Sequence, residues 1–109
     1  MRWCGRCVQR LARTGLQDRL VRILVEIINP AGDPEAEARV IDEALDAIGA
    51  TAPRLHHGEG DATWPVLRQA QLLGRDTRIG LEDTLTFPDG STAPSNEALI
   101  RLALTGTQA

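Results

Sequence analysis

Leu20–Ile28, Leu-Val-Arg-Ile-Leu-Val-Glu-Ile-Ile, is apolar and largely β-branched with only two charges. A strand wetted on one face alternates apolar and polar residues. A near-continuous run marks a parallel strand covered on both faces. Glu26 interrupts the run near its C-terminal end. It reads as a polar residue lining a cavity, with a plain exposed carboxylate as the other reading.

Beyond this run the chain alternates helix and strand. Asp33-Pro34 starts a helix, an N-cap acceptor followed by proline at the first position. Glu35 and Glu37 suit the positive end of its dipole. Val40, Ile41, Ala44, Leu45 and Ile48 make an apolar stripe, and Gly49 ends it. Pro53–Gly60 reads as a second strand running into a glycine-flanked turn. His56 and His57 face opposite sides of such a strand, so they cannot share one metal. His57, nearer the strand end, is either a lining residue or a hydrogen-bonded structural one. Gly58-Glu59-Gly60 lets backbone approach a ligand closely, and Glu59 joins the candidate lining residues. Asp61 or Thr63 caps the next helix, whose stripe is Val66, Leu67, Ala70 and Leu73, with Gly74 closing it. A last helix runs from a Ser95 cap to about Leu104, with Leu99, Ile100, Leu102 and Ala103 apolar. Val8–Thr14, before the first strand, is also helical in composition, with Gly15 at its C′ position.

Thr77–Asp83, Thr-Arg-Ile-Gly-Leu-Glu-Asp, is the stretch with the most chemistry. Read as a third strand, it puts Arg78, Gly80 and Glu82 on one face and Ile79 and Leu81 on the other. Arg78 and Glu82 then stand about 13 Å apart as two stations along one wall, at about 3.3 Å per residue. Gly80 leaves the wall open between them, and Asp83 follows at the strand end. Buried charge is costly unless paired or metal-bound, and α/β sheets carry ligands at strand C-termini. The bland reading is the solvated edge of a sheet.

Strands beginning near Ile23, Arg54 and Thr77 suit βαβ units of about 30 residues with right-handed crossovers. Three parallel strands leave two bare edges and too few helices to cover both faces. A closed eight-stranded barrel takes about 250 residues, so 109 residues correspond to roughly three-eighths of one. We expect an α/β chain, the C-terminal part of a (β/α)₈ barrel with about three βα units. Residues 9–109 form that incomplete segment and residues 1–8 an atypical leader.

The net charge of −3 is spread along the chain, with no basic stripe for nucleic acid. No apolar run approaches the roughly 20 residues of a membrane span, and no secretory h-region is visible. The default compartment is the cytoplasm. Aromatics are few (Trp3, Trp64, Phe87), so the core is aliphatic. Trp3-Cys4-Gly5-Arg6-Cys7 looks like a thioredoxin-type site. The preceding strand such a site needs is absent, and a zinc half-site lacks a second Cys pair. The pair reads as incidental.

Arg22-Ile23-Leu24-Val25-Glu26, His57-Gly58-Glu59-Gly60, Trp64-Pro65 and Asp76–Thr84 come in the same order as in the β-keto acid cleavage enzymes. The chain resembles that family over about residues 9–104, most specifically in Arg-Ile-Gly-Leu-Glu-Asp. The family includes the 3-keto-5-aminohexanoate cleavage enzyme of lysine fermentation. The resemblance implies a zinc-dependent (β/α)₈ barrel that exchanges a β-keto acid with acetyl-CoA, giving acetoacetate and a new acyl-CoA. It implies Glu82 as a zinc ligand on the last strand, Arg78 as the substrate-binding arginine, and Asp83 as the acidic residue beside the ligand. Zinc as Lewis acid would polarise the keto oxygen, and arginine grips a carboxylate in bidentate fashion. The family's other zinc ligands are a His-x-His pair on an early strand. This chain has no such pair, since its two histidines are adjacent. We therefore expect a fragment, inactive and weakly zinc-binding alone, with a homo-oligomer expected only at full length. The other reading is a small thiol-redox or interaction module built on Cys4 and Cys7.

Overall fold

The computed structural model describes residues 5–28 and 32–106. The order is α1 (Gly5–Thr14), β1 (Ile23–Ile27), α2 (Pro34–Ala47), β2 (Arg54–Gly58), a 3₁₀ turn (Gly60–Ala62), α3 (Thr63–Leu73), β3 (Asp76–Thr77) and α4 (Asn96–Thr105). The three strands form one parallel sheet in the order β1-β2-β3. This is the α/β pattern expected from the sequence. Val25 pairs with His56 and Glu26 with His57; His56 in turn pairs with Thr77.

The caps explain most helix limits. Asp33 accepts the Glu35 N–H at 3.0 Å, and Ser95 accepts that of Ala98 at 3.1 Å. Gly74 closes α3 in the left-handed region at φ 70°, where a side chain would be strained. The start of α3 departs from expectation. Neither Asp61 nor Thr63 caps it; the 3₁₀ turn leads in through Ala62, which makes no side-chain cap bond. Thr63 instead turns its hydroxyl to the Gly58 and Asp83 carbonyls at 3.1 and 3.3 Å.

Two apolar clusters hold the elements. Val25 and Ile27 of β1 pack with Val8, Ala38, Ile41, Leu45 and Val66 from α1, α2 and α3. Trp64 and Leu67 of α3 pack with Phe87, Ala93 and, from α4, Leu99, Leu102 and Ala103. Three expected stripe residues lie off these cores: Val40, Leu73 and Ile100 are 51%, 50% and 44% exposed. Their neighbours at helical spacing take the buried face, so an apolar residue one step round the helix stays wet.

The largest correction concerns the third strand. We expected strand from 77 to 82, but only Asp76–Thr77 pairs with β2. The chain then turns, with the Asp83 and Thr84 N–H groups donating to the Gly80 carbonyl at 3.0 and 3.2 Å. Gly80 lets the Glu82 carboxylate fold directly over its α-carbon, where a β-carbon would collide. The alternation that put Arg78 and Glu82 on one wall therefore does not extend past Thr77. The first strand is also shorter than the 20–28 run, starting at Ile23.

Beneath β2 lies a buried ionic cluster. Asp42 of α2 accepts from Arg54 Nη1 at 3.1 Å, His56 Nε2 at 2.9 Å and Arg75 Nε at 3.2 Å. Arg54 also reaches Asp46 at 2.7 Å and the Ala50 carbonyl at 3.0 Å. Burial pushes the Asp42 carboxyl up, but the hydrogen bond and charge of His56, with Arg75 and Arg54, hold it below the usual carboxylate range.

Candidate functional site

The two adjacent histidines point to opposite faces, as strand geometry requires. His56 faces the helices and is a structural residue, bonded to Asp42. His57 lies on the other face with its register partner Glu26. Its side chain is 1% exposed. Its Nε2 sits 3.4 Å from Glu26 Oε1 and its Nδ1 3.7 Å from Asp83 Oδ1. Neither ring nitrogen makes an aligned hydrogen bond.

Arg78 follows Thr77, the last residue of β3 to pair with β2. Arg78 Nη2 lies 3.4 Å from Asp83 Oδ1. The turn at Gly80 makes this pairing, which a straight strand would forbid. Asp83 has a fully buried side chain, and its Oδ2 has no hydrogen-bond partner. A buried carboxylate oxygen without a donor is costly unless a ligand or water uses it.

The backbone of Asp83 is held from both sides. Its N–H donates to Gly80, and its carbonyl accepts from Gly60 N–H at 2.7 Å and from the Thr63 hydroxyl. Gly60 adopts φ 58°, and a β-carbon on Gly58 would collide with the Ala62 backbone. The Gly-Glu-Gly turn is thus fitted to the loop that carries Asp83. Leu81 N–H is anchored on Asn96 Oδ1 at 2.7 Å. Thr63 and Asn96 were not singled out as site residues in the sequence, and Gly60 only as part of a turn that a ligand could approach. Their role depends on contacts 15 to 23 residues away, and no local pattern records it.

Glu59 lies at the same mouth, lining with Gly60, Asp61 and Asp83 an open cavity of about 880 Å³. Glu82 is exposed and points to Gly80 rather than into the row formed by Glu26, His57 and Asp83. Among the described residues, no three His, Cys, Asp or Glu side chains converge on a metal position. A catalytic zinc takes three protein ligands and one open position. The residues present do not by themselves fit that metal.

Cys7 lies in α1, half-buried; Cys4 lies outside the described residues. No described helix is long and apolar enough to cross a membrane.

Chemically, the arrangement offers a cation, Arg78, beside a buried carboxylate with one oxygen unused, backed by an imidazole and a second carboxylate. Such a set can hold an anionic substrate and exchange a proton with it. Searches of curated proteins and of solved structures each returned no match. The beta-keto acid cleavage enzyme family model matches residues 6–108, nearly the whole chain, and to that family the chain belongs.

Proposed function

We propose that this chain is the C-terminal, site-bearing part of a zinc-dependent (β/α)₈ enzyme that exchanges a β-keto acid with acetyl-CoA, the acyl group passing to CoA and the acetyl group to the remaining carboxymethyl carbon as acetoacetate. Family membership supports the reaction class. The single observation that carries the residue assignment is Asp83, fully buried with Oδ2 unpartnered and Oδ1 between Arg78 and His57. In this reading Arg78 holds the substrate carboxylate. Asp83 takes and returns a proton through its unused oxygen. His57, with Glu26 behind it, lines the site beside Asp83, and Glu59 lines the mouth. Glu82 supplies one metal ligand, and the others come from strands outside these 109 residues. Among the described residues no complete metal site is present, so the roles above are those of this chain's own side chains.

Calorimetry with zinc tests the proposal. The chain alone is expected to bind weakly, since one solvated carboxylate does not offset the dehydration of the ion. Co-expression with a segment that completes the barrel and brings a His-x-His pair is expected to give tight zinc binding and β-keto acid cleavage. In that complex Glu82→Ala should lose the metal, while Arg78→Ala should keep it and lose turnover. Full zinc affinity in Glu82→Ala would refute the assignment of the ligand.

A further inference from the structure

Arg68 of α3 is held in place but keeps donors to spare. Its guanidinium carbon stands 5.4 Å from the centroid of the Trp64 ring, a cation–π contact. Its Nη1 donates to Gln71 Oε1 at 3.3 Å and to the Ala103 carbonyl at 3.4 Å. Among the described residues Nε and Nη2 have no hydrogen-bond partner. That edge of the fork can take two oxygens of one anion side by side. The Trp64 ring beneath is itself fixed, its Nε1 donating to the Thr86 carbonyl at 2.9 Å.

Arg68 opens onto a groove of about 470 Å³. This groove and the mouth cavity that holds Asp83 share Gly60, Asp61 and Pro65, so one channel runs from the site to Arg68. Arg68 lies about 10 Å from Asp61 at about 1.5–2 Å per residue. The other wall, Thr84, Thr86, Phe87, Pro88 and Gly90, carries no charge. Every lining residue comes from α2, the 3₁₀ turn, α3 or the 84–90 loop, so the groove is complete within the described residues.

We propose that this groove takes the nucleotide end of acetyl-CoA, with Arg68 gripping the diphosphate and the pantetheine arm lying along Gly60, Asp61 and Pro65 toward Asp83. The placement rests on the acetyl-CoA reading of the site given above. Going outward from the thioester, the pantetheine arm is uncharged and the diphosphate is the first anion met. An uncharged arm suits the stretch at Asp61, whose carboxylate can accept from its amides and hydroxyl. An anion suits the far end, where Arg68 is the one cation among the described residues lining the groove. Glu35 also lines it, but in an open groove its repulsion is screened, whereas the Arg68 fork bonds the phosphate directly.

Titrating the full chain, without zinc, with coenzyme A, dephospho-coenzyme A, pantetheine and ADP tests this, followed by NMR shifts of the backbone amides and of the Arg68 Nε–H. Coenzyme A and dephospho-coenzyme A should bind alike, and pantetheine about tenfold more weakly. Coenzyme A should shift Arg68 together with the Gly60 and Asp61 amides, whereas ADP should shift Arg68 and leave those two amides in place. Arg68→Gln should erase the preference for coenzyme A over pantetheine, and Arg68→Lys should keep part of it. Damage to the fold would instead weaken both ligands. Should Arg68→Gln not fold, the comparison of coenzyme A with pantetheine on the native chain decides the matter. No binding of coenzyme A, pantetheine bound as tightly, or a Gly60 amide that coenzyme A leaves unmoved would overturn the proposal. Inorganic phosphate bound as tightly as coenzyme A would do so too, by reducing the groove to a plain anion site. None of these measurements involves zinc, Glu82 or turnover. A completed enzyme that cleaves no β-keto acid would therefore refute the reaction and leave the groove's preference for coenzyme A as measured.

Discussion

Asp42→Ala removes the acceptor at the centre of the buried cluster. Asp42 is 7% exposed and Arg54 3% exposed. Removing one partner of a buried ion pair costs about 3–5 kcal/mol. The lower end applies here for three reasons. Arg54 keeps Asp46, the Ala50 carbonyl and the main-chain carbonyl of residue 42, which the substitution preserves. Arg75 is 32% exposed and relaxes into water. His56 bears the remaining cost, because its ring is fully buried and Nδ1 already lacks a partner. An unsatisfied buried group costs about 1–3 kcal/mol. The expected loss is about 3 kcal/mol, or a fall in Tm of about 12–24 °C at about 4–8 °C per kcal/mol. Urea unfolding at fixed protein concentration, followed by far-ultraviolet circular dichroism, measures it. A loss under about 1 kcal/mol with unchanged m-value would refute the claim that Asp42 anchors α2 to β2. The carboxyl also predicts a pH dependence. Its folded pKa is depressed, so at pH between the two pKa values the unfolded chain binds a proton that the folded chain does not. Stability then rises with pH. The contribution is complete above the unfolded value of about 3.9 and is lost as pH falls through the folded one. The stability difference between the native sequence and Asp42→Asn should therefore shrink on acidification below about pH 4. A difference constant down to about pH 2, below the usual carboxylate range, would show that the charge is not what Asp42 contributes.

Gly58→Ala should cost about 1–3 kcal/mol by overpacking, because the added carbon meets the Ala62 backbone rather than a flexible side chain; unchanged urea stability would contradict the fit of this turn. Ser95→Ala should cost about 1 kcal/mol by removing the α4 cap, with a smaller loss for Ser95→Gly; equal losses in the two variants would count against the cap.

The order of elements was legible because its signals are local. Asp33-Pro34 and Ser95 start helices by accepting from backbone N–H groups two or three residues on, and Gly74 ends one through its own φ angle. The apolar run at 20–28 announced a parallel strand for the same reason, but not cover on both faces: Val25 and Ile27 are buried while Leu24 is 40% exposed. Opposite faces for His56 and His57 also come from strand geometry alone. Which histidine was structural did not, since the answer sits on Asp42 in another element. The motif 77–83 marks the outer limit. Its residue types pointed to a site, but its shape came from Gly80 turning the chain and from Gly60 and Thr63 gripping the Asp83 carbonyl. A strand and a turn differ there by a few backbone hydrogen bonds to distant residues, and local preference is too weak to decide between them. The sequence by itself determined the kinds of residue brought to the C-terminal end of β2 and the turn after β3. Only the tertiary structure decided that Arg78 faces Asp83 rather than Glu82, because that pairing depends on three segments meeting in space.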